Sequence, residues 1–369
     1  MMALLHGSRD RFAQTPFALA LLDDEPDVYP PEPWLPVHRL STGGSLVRGF
    51  RLVRELVGRE RPDLIVSFLT RANIIAAVVG RLEAVPTVIS ERVNTSAHLA
   101  GRRAAASRLL VRLSYPRARQ VIAVSRGVAD DLVANFGVRR ELVTAIPNPV
   151  DLAAIQEKAA GPVRLPSDSP FLVAVGRLTT TKNMALLIRA YADAAISSRL
   201  AILGEGPERA NLLAEIEQLG LTGKVVLAGF VANSFAVVRK ARAYVSASNG
   251  EGFPNALVEA MALARPVIAT NCASGPSEIL ADRSRNEVSG VLDTPFGRLV
   301  PADDRAALAE ALRWIDAKTD AELTEVGTRS QERVREFAAE KAVQRYWALF
   351  DKAADLRAER PATPGANSL

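Results

Sequence analysis

Short runs of apolar, largely β-branched residues alternate along most of the chain with longer stretches whose apolar positions recur at helical spacing. That is the pattern of parallel strands joined by crossover helices. In the first half the runs fall at 63–69, 86–91, 120–125 and 142–147, and in the second at 171–176, 200–204, 225–230, 244–248 and 266–271. They are continuous rather than alternating, as expected of strands buried on both faces. Between the two sets, 153–169 carries Gly161, Pro162 and Pro166 and little apolar content, which predicts an interdomain linker. The expected organisation is two doubly wound α/β domains, 1–152 and 170–337. The stretch 306–356 reads as mostly helical, with Phe337, Val343, Tyr346, Trp347 and Phe350 as a docking face. A helix over about 338–356 is expected to complete the first domain, and 357–369 to form a flexible tail.

The length, 369 residues, fits two cores. Hydrophobic residues make up 48% and charged residues 24%, the balance of a globular chain rather than a disordered one. The single cysteine, Cys272, has no partner for an intramolecular disulfide, and His6, His38 and His98 are scattered, so no thiol or imidazole metal cluster is expected. The opening MMALLHGSRDRFAQ has too short an apolar run for a signal peptide, and no run is long enough to span a bilayer. A cytoplasmic location, at the inner face of the cell membrane, is expected.

Net charge is +5, and its distribution is uneven. Between Arg92 and Ala129 there are eight arginines and no acidic residue. Over 102–119 these interleave with Leu109, Leu110, Val111 and Leu113, giving a helix with basic and apolar faces. Such a helix suits an anionic membrane surface, or equally a solvated face above an ordinary core contact. Nucleic acid is not expected, because no aromatic residue interleaves with the arginines before Tyr115.

Lysine is scarce: there are seven, and none precedes Lys158. One of them, Lys182, stands five residues after Arg177 in VGRLTTTKN, a strand end and turn that open into a helix. Backbone N–H groups and two cations at a helix start suit an anion, above all a diphosphate. The next strand ends in LGEGPER, with Gly204 and Gly206; Arg209 stands where a dinucleotide fingerprint has a small residue, which argues against a nicotinamide or flavin site. A tight turn explains these glycines as well as a ligand contact does. In SNGEGFPNALVEAMALA, Glu251 precedes a helix expected to start at Pro254, and Glu259 stands within its apolar run. A carboxylate there is costly to bury unless it is hydrogen-bonded, for which a vicinal diol is suited.

These segments resemble the retaining glycosyltransferases of family 4. The similarity runs from about Phe17 to about Phe350 and centres on the E-x7-E arrangement of Glu251 and Glu259. GPSEI at 275–279, GRLVPADD at 297–304, VIAVSRGVADDL and IPNPVD support it. The resemblance implies the GT-B fold, with the two domains facing a central cleft, and transfer of a hexose or N-acetylhexosamine from a nucleotide diphosphate sugar, UDP-linked, to a saccharide or lipid-linked acceptor. It further implies that Arg177 and Lys182 hold the diphosphate, that Glu251 contacts the donor sugar and that Glu259 binds the ribose. Gly176, Gly204, Leu257 and the backbone around Phe253, Pro254 and Asn255 would complete the donor site. No metal and no cofactor is implied, since the two cations take the metal's part, and Asp23-Asp24, Asp130-Asp131 and Asp303-Asp304 read as turn and helix-start residues.

SFLTRAN at 67–73 and VISERVNTS at 88–96 resemble the subgroup that extends lipid-linked oligosaccharides in cell-surface polysaccharide biosynthesis, which makes Arg71, Glu91 and Arg92 the acceptor-side candidates. The family's opening strand and glycine-rich loop are missing, and Gly43-Gly44 reads as an ordinary turn. A misplaced start or a truncation is therefore expected, and a truncated, non-catalytic nucleotide-sugar-binding protein is the alternative function.

Overall fold

The β-branched runs form the strands of two parallel sheets in the computed structural model, which describes residues 2–23, 31, 33–101, 104–163 and 170–358. One unit comprises Met1–Val124, Val128–Pro147 and Glu340–Leu369, and the other Ser125–Gly127 and Asn148–Ala339.

In the first unit a short parallel pair, β1 (Leu19–Leu21) and β2 (Val37–Arg39), precedes a four-stranded parallel sheet. That sheet is β3 (Ile65–Phe68), β4 (Thr87–Glu91), β5 (Gln120–Ala123) and β6 (Val143–Ala145), in that order. All five residues of β4 are buried, as its continuous apolar run requires. Val88, Ile122 and Ile146 meet Val343, Tyr346, Trp347 and Phe350 of the C-terminal helix Ala339–Ala358 in one core. Each such aromatic side chain contributes about 2–3 kcal/mol by leaving water. Trp347 also donates from Nε1 to Ser8 Oγ (2.8 Å), so its polar edge is satisfied. A second cluster packs Val57 of helix Leu46–Glu60 on Ile75 and Val79 of helix Thr70–Leu82.

The second unit carries β7 (Phe171–Val175), β8 (Arg199–Leu203), β9 (Val225–Gly229), β10 (Ala243–Ser246), β11 (Val267–Asn271), β12 (Leu292–Thr294) and β13 (Gly297–Pro301). Their order is β12-β13-β11-β10-β7-β8-β9, parallel throughout except for the β12–β13 pair. The carboxyl ends of β10, β7, β8 and β9 thus lie side by side, and the loops leaving them carry the charged residues singled out above. In open parallel sheets this is the edge that binds ligands.

The expected linker is in part a helix. Leu152–Ala159 is capped by Asp151, whose Oδ1 accepts from Ala154 N (2.9 Å), and it buries Ile155 and Ala159. Gln156 Nε2 donates to Ala262 O (2.7 Å), fixing this helix to the second unit. The proline signals misplaced the boundary because the apolar spacing of Leu152, Ile155 and Ala159 outweighs the polar composition around it. Residues 164–169 and 359–369, which hold the rest of the linker and most of the tail, lie outside the described residues.

Candidate active site

The turn after β7 is built by close backbone packing. Gly176 N donates to Leu203 O (3.0 Å), Leu178 N to Glu205 O (2.9 Å) and Glu208 N to Leu178 O (3.0 Å). A β-carbon on Gly204, whose φ is +144°, would come within 2.0 Å of Gly176 O, and one on Gly206 within 2.3 Å of Leu178 O. The approach of the two loops therefore accounts for both glycines, and Gly204, expected among the donor contacts, has a structural reason to be glycine.

Further along the turn, Asn183 adopts a positive φ of 49° and caps helix Met184–Ala194, its Oδ1 accepting from Leu186 N (3.4 Å). Its Nδ2 donates to Asn249 Oδ1 (3.0 Å) and Asp303 Oδ1 (2.8 Å), and Asn249 N donates to Thr181 O (2.8 Å). The Arg177–Lys182 turn is thereby fastened to the loop that follows β10.

In that loop Ser274 Oγ donates to Glu251 O, while Thr270 Oγ1 donates to Ser248 O (2.6 Å). The stem of Lys182 crosses Gly176, and its Nζ stands 2.5 Å from Glu251 Oε1, a pair whose side chains are 30% and 10% exposed. Arg177 is exposed and forms no ion pair among the described residues.

Helix Asn255–Ala262 starts one residue later than expected, with Pro254 as its N-cap. Pro254 has no N–H, so only its neighbours can offer backbone donors there. The Phe253 ring is buried edge-on against Phe337 at 5.4 Å, and Leu257 is wholly buried. Neither side chain is free for a ligand, so a donor contact at either residue would be through its backbone. Asn255 is exposed, and its Oδ1 accepts from Asn148 Nδ2 (2.6 Å).

Glu259 is half-buried, and its carboxylate has no hydrogen bond or ion pair among the described residues. Burial without compensation pushes its pKa up to about 7. The buried Tyr244 phenol is raised by burial first and then by the charges of Glu251 and Glu259, so both carboxylates lie within electrostatic reach of it. Cys272 is buried and pushed up to about 12 by burial and by Glu251, with Lys182 opposing. Lys182 and Glu251 thus meet in the loop after β10, and Glu259 stands on the helix that follows it. Tyr244, Asn183 and Ser274 carry no local sequence signal that distinguishes them as supports. Among the described residues no group of three or more His, Cys, Asp or Glu side chains is placed to hold a metal.

The first-unit candidates separate in the structure. Glu91 is fully buried and accepts from Arg92 N (2.9 Å), Val93 N (3.4 Å), Thr70 Oγ1 (3.2 Å) and Tyr115 OH. Asn73 extends this network from Nδ2 to Tyr115 OH (3.2 Å) and Ser90 O (2.9 Å), and accepts from Ser67 Oγ (2.8 Å). Burial raises the pKa of Glu91 while these bonds oppose the rise. Glu91 is thus a structural carboxyl group, not an acceptor contact: its partner Tyr115 lies 24 residues away, beyond what local pattern reveals.

Arg92 donates from Nη1 to Tyr346 OH (2.6 Å) and lies 5.5 Å from the Phe68 ring centroid. Arg71, about one-third exposed, pairs with Asp23. The Asp23 pKa is held down to about 2 by hydrogen bonds from Thr42 first, then Arg71 and the Gly44 amide. Asp24 lies outside the described residues.

Two family models match this chain: Glycosyltransferase Family 4 over residues 11–154 and Glycosyl transferases group 1 over 169–318. Between them they take in both units, and the chain belongs to the family 4, group 1 glycosyltransferases. Over 207 residues it is 36% identical to the N-acetylgalactosamine-N,N'-diacetylbacillosaminyl-diphospho-undecaprenol 4-alpha-N-acetylgalactosaminyltransferase of Campylobacter jejuni, covering 56% of this chain and 53% of that one. The chain spans about half the length of the first curated relatives it matches.

Among solved structures, Anabaena Alr3699/HepE in complex with UDP and glucose aligns with a TM-score of 0.73 at 20% identity, covering 95% of each chain. Sucrose-phosphate synthase from Thermosynechococcus elongatus aligns with a TM-score of 0.74 at 21% identity, covering 95% of this chain and 91% of that one. At these identities the likeness is one of fold, and the fold is GT-B.

Proposed function

We propose that this protein is a retaining glycosyltransferase that moves a hexose or N-acetylhexosamine from a UDP-sugar to a saccharide or lipid-linked oligosaccharide acceptor in cell-surface polysaccharide biosynthesis. The observation that carries this reading is Glu259, a half-buried carboxylate with no protein partner among the described residues, on the helix that follows the loop of the Lys182–Glu251 pair. A ribose diol would supply the two hydrogen bonds that Glu259 lacks. Arg177 and Lys182 would hold the diphosphate and offset the charge that grows on it as the anomeric carbon–oxygen bond breaks. In this scheme the acceptor hydroxyl attacks on the face from which the phosphate leaves, and its proton passes to the departing phosphate oxygen. Glu251 would orient the sugar hydroxyls. No metal is assigned a part in this scheme.

The Campylobacter relative, whose name states a lipid diphosphate-linked acceptor and an N-acetylgalactosaminyl group, supports the acceptor class. The neighbour holding UDP and glucose supports the nucleotide.

A membrane surface is proposed to bring enzyme and acceptor together through helix Ala105–Ser114. Val111 and Ser114 face the core, while Leu109 and Leu113 are 57% and 51% exposed. Beside them Arg108, Arg112, Arg117 and Arg119 are exposed and pair with no carboxylate among the described residues. Arg102 and Arg103 lie outside the described residues. No helix among those described is long and apolar enough to cross a membrane. Sedimentation with phosphatidylglycerol vesicles should be lost in Leu109→Glu/Leu113→Glu, and equal retention by that variant would remove the membrane proposal.

The function itself is tested by incubating the chain with a panel of UDP-hexoses and UDP-N-acetylhexosamines and an undecaprenyl-diphosphate-linked saccharide. Extension of the acceptor by one sugar with release of UDP is expected. Donor binding with neither transfer nor UDP release would make it a nucleotide-sugar-binding protein instead.

A further inference from the structure

We propose that Glu251 competes with the nucleotide for Lys182, and in this way makes the site select an intact sugar donor over the spent nucleoside diphosphate. This rests on the donor-site reading above and extends it to product release.

The two cations of the turn are not equivalent. Arg177 is exposed and forms no ion pair among the described residues, whereas Lys182 is committed to Glu251 at 2.5 Å. The pair is held from both sides. Ser274 Oγ grips the carbonyl of Glu251, and the Asn183–Asn249 and Asn249–Thr181 bonds lock its loop to the turn bearing Lys182. The carboxylate of Glu251 is 10% exposed, and Lys182 is its one side-chain partner among the described residues.

A nucleoside diphosphate that takes Lys182 therefore leaves a nearly buried carboxylate unpaired, beside incoming negative charge. Breaking such a pair from one side is costly. An intact donor brings sugar hydroxyls to Glu251 in the same step and replaces the bond it removes. Exchange is nearly balanced for the donor and penalised for the product, so cleavage of the sugar restores the ion pair and favours departure of the nucleotide.

The test is a double-variant cycle read by UDP affinity. In Glu251→Gln, which keeps the shape but not the charge, UDP should bind about two- to fivefold more tightly than to the parent, the scale of one partly exposed ion pair. The same exchange in a Lys182→Ala background should leave UDP affinity unchanged. UDP affinity that stays the same or falls in Glu251→Gln would overturn the proposal. An equal gain in both backgrounds would do so too, since general repulsion of phosphate would then explain it. If the parent binds UDP, and Lys182→Ala weakens it while Glu251→Gln brings no gain, the donor site stands and the competition alone falls. If neither the parent nor Glu251→Gln binds UDP, both fall together.

Discussion

Glu91, at the end of a strand of the first unit, and Glu259, on a helix of the second, are both carboxylates taken out of water, and burial raises the pKa of both. They differ in what surrounds them. Glu91 accepts from two backbone amides, Thr70 and Tyr115. Glu259 accepts from no group among the described residues. A satisfied buried carboxyl group stabilises its own unit. An unsatisfied one lowers stability until a ligand completes it, which makes it a candidate for function. Burial alone does not separate the two; the inventory of partners does.

The largest expected effect tests the structural side of that contrast. Glu91→Ala strands the Tyr115 hydroxyl and two amides, and should lower stability by about 3 kcal/mol, seen as a fall in the urea midpoint. If stability were retained and only acceptor binding lost, Glu91 would belong with the ligand groups after all.

Next in size are the cations. Arg177→Ala and Lys182→Ala should each slow transfer by about 100-fold, the scale of removing one group that stabilises developing negative charge. The unfolding midpoint should change little in Arg177→Ala, because Arg177 is exposed, whereas Lys182→Ala leaves Glu251 without its partner and should lower the midpoint as well as the rate. Full transfer rates in both variants would remove them from the diphosphate site.

A smaller effect sharpens the contrast through pH. Glu259 titrates near 7 in the fold, against an ordinary value of 4.5. Between these values the folded state holds a proton that the unfolded chain has released, so stability falls as pH rises through this window and the full penalty stands above about 7. Glu259→Gln should therefore stabilise the protein by about 1–2 kcal/mol at pH 8 and by little at pH 5. A variant no more stable than the parent at pH 8 would show that the parent's Glu259 already has a partner.

The strands were the most readable part of the sequence, because short uninterrupted runs rich in β-branched residues, such as Thr87–Ile89 and Val267–Thr270, leave little choice but a strand buried on both faces. The short pair Leu19–Leu21 and Val37–Arg39 drew no prediction, its three-residue strands being too brief for any period to emerge. Charged side chains were readable by position and not by partner. Lys182 and Glu251 stand out in the sequence, yet their bond to each other spans 69 positions. Leu257, which the family resemblance sets at the donor site, turns its side chain wholly into the core, an orientation that position in the sequence does not reveal.

Glu259, as proposed, awaits a ribose diol, and calorimetric titration of UDP into the parent and Glu259→Ala at pH 8, above its raised pKa, reads that contact by itself. The variant is expected to lose about 1.5–3 kcal/mol of UDP binding free energy, a roughly 10- to 150-fold weaker Kd. Equal UDP affinity in the two proteins would contradict it.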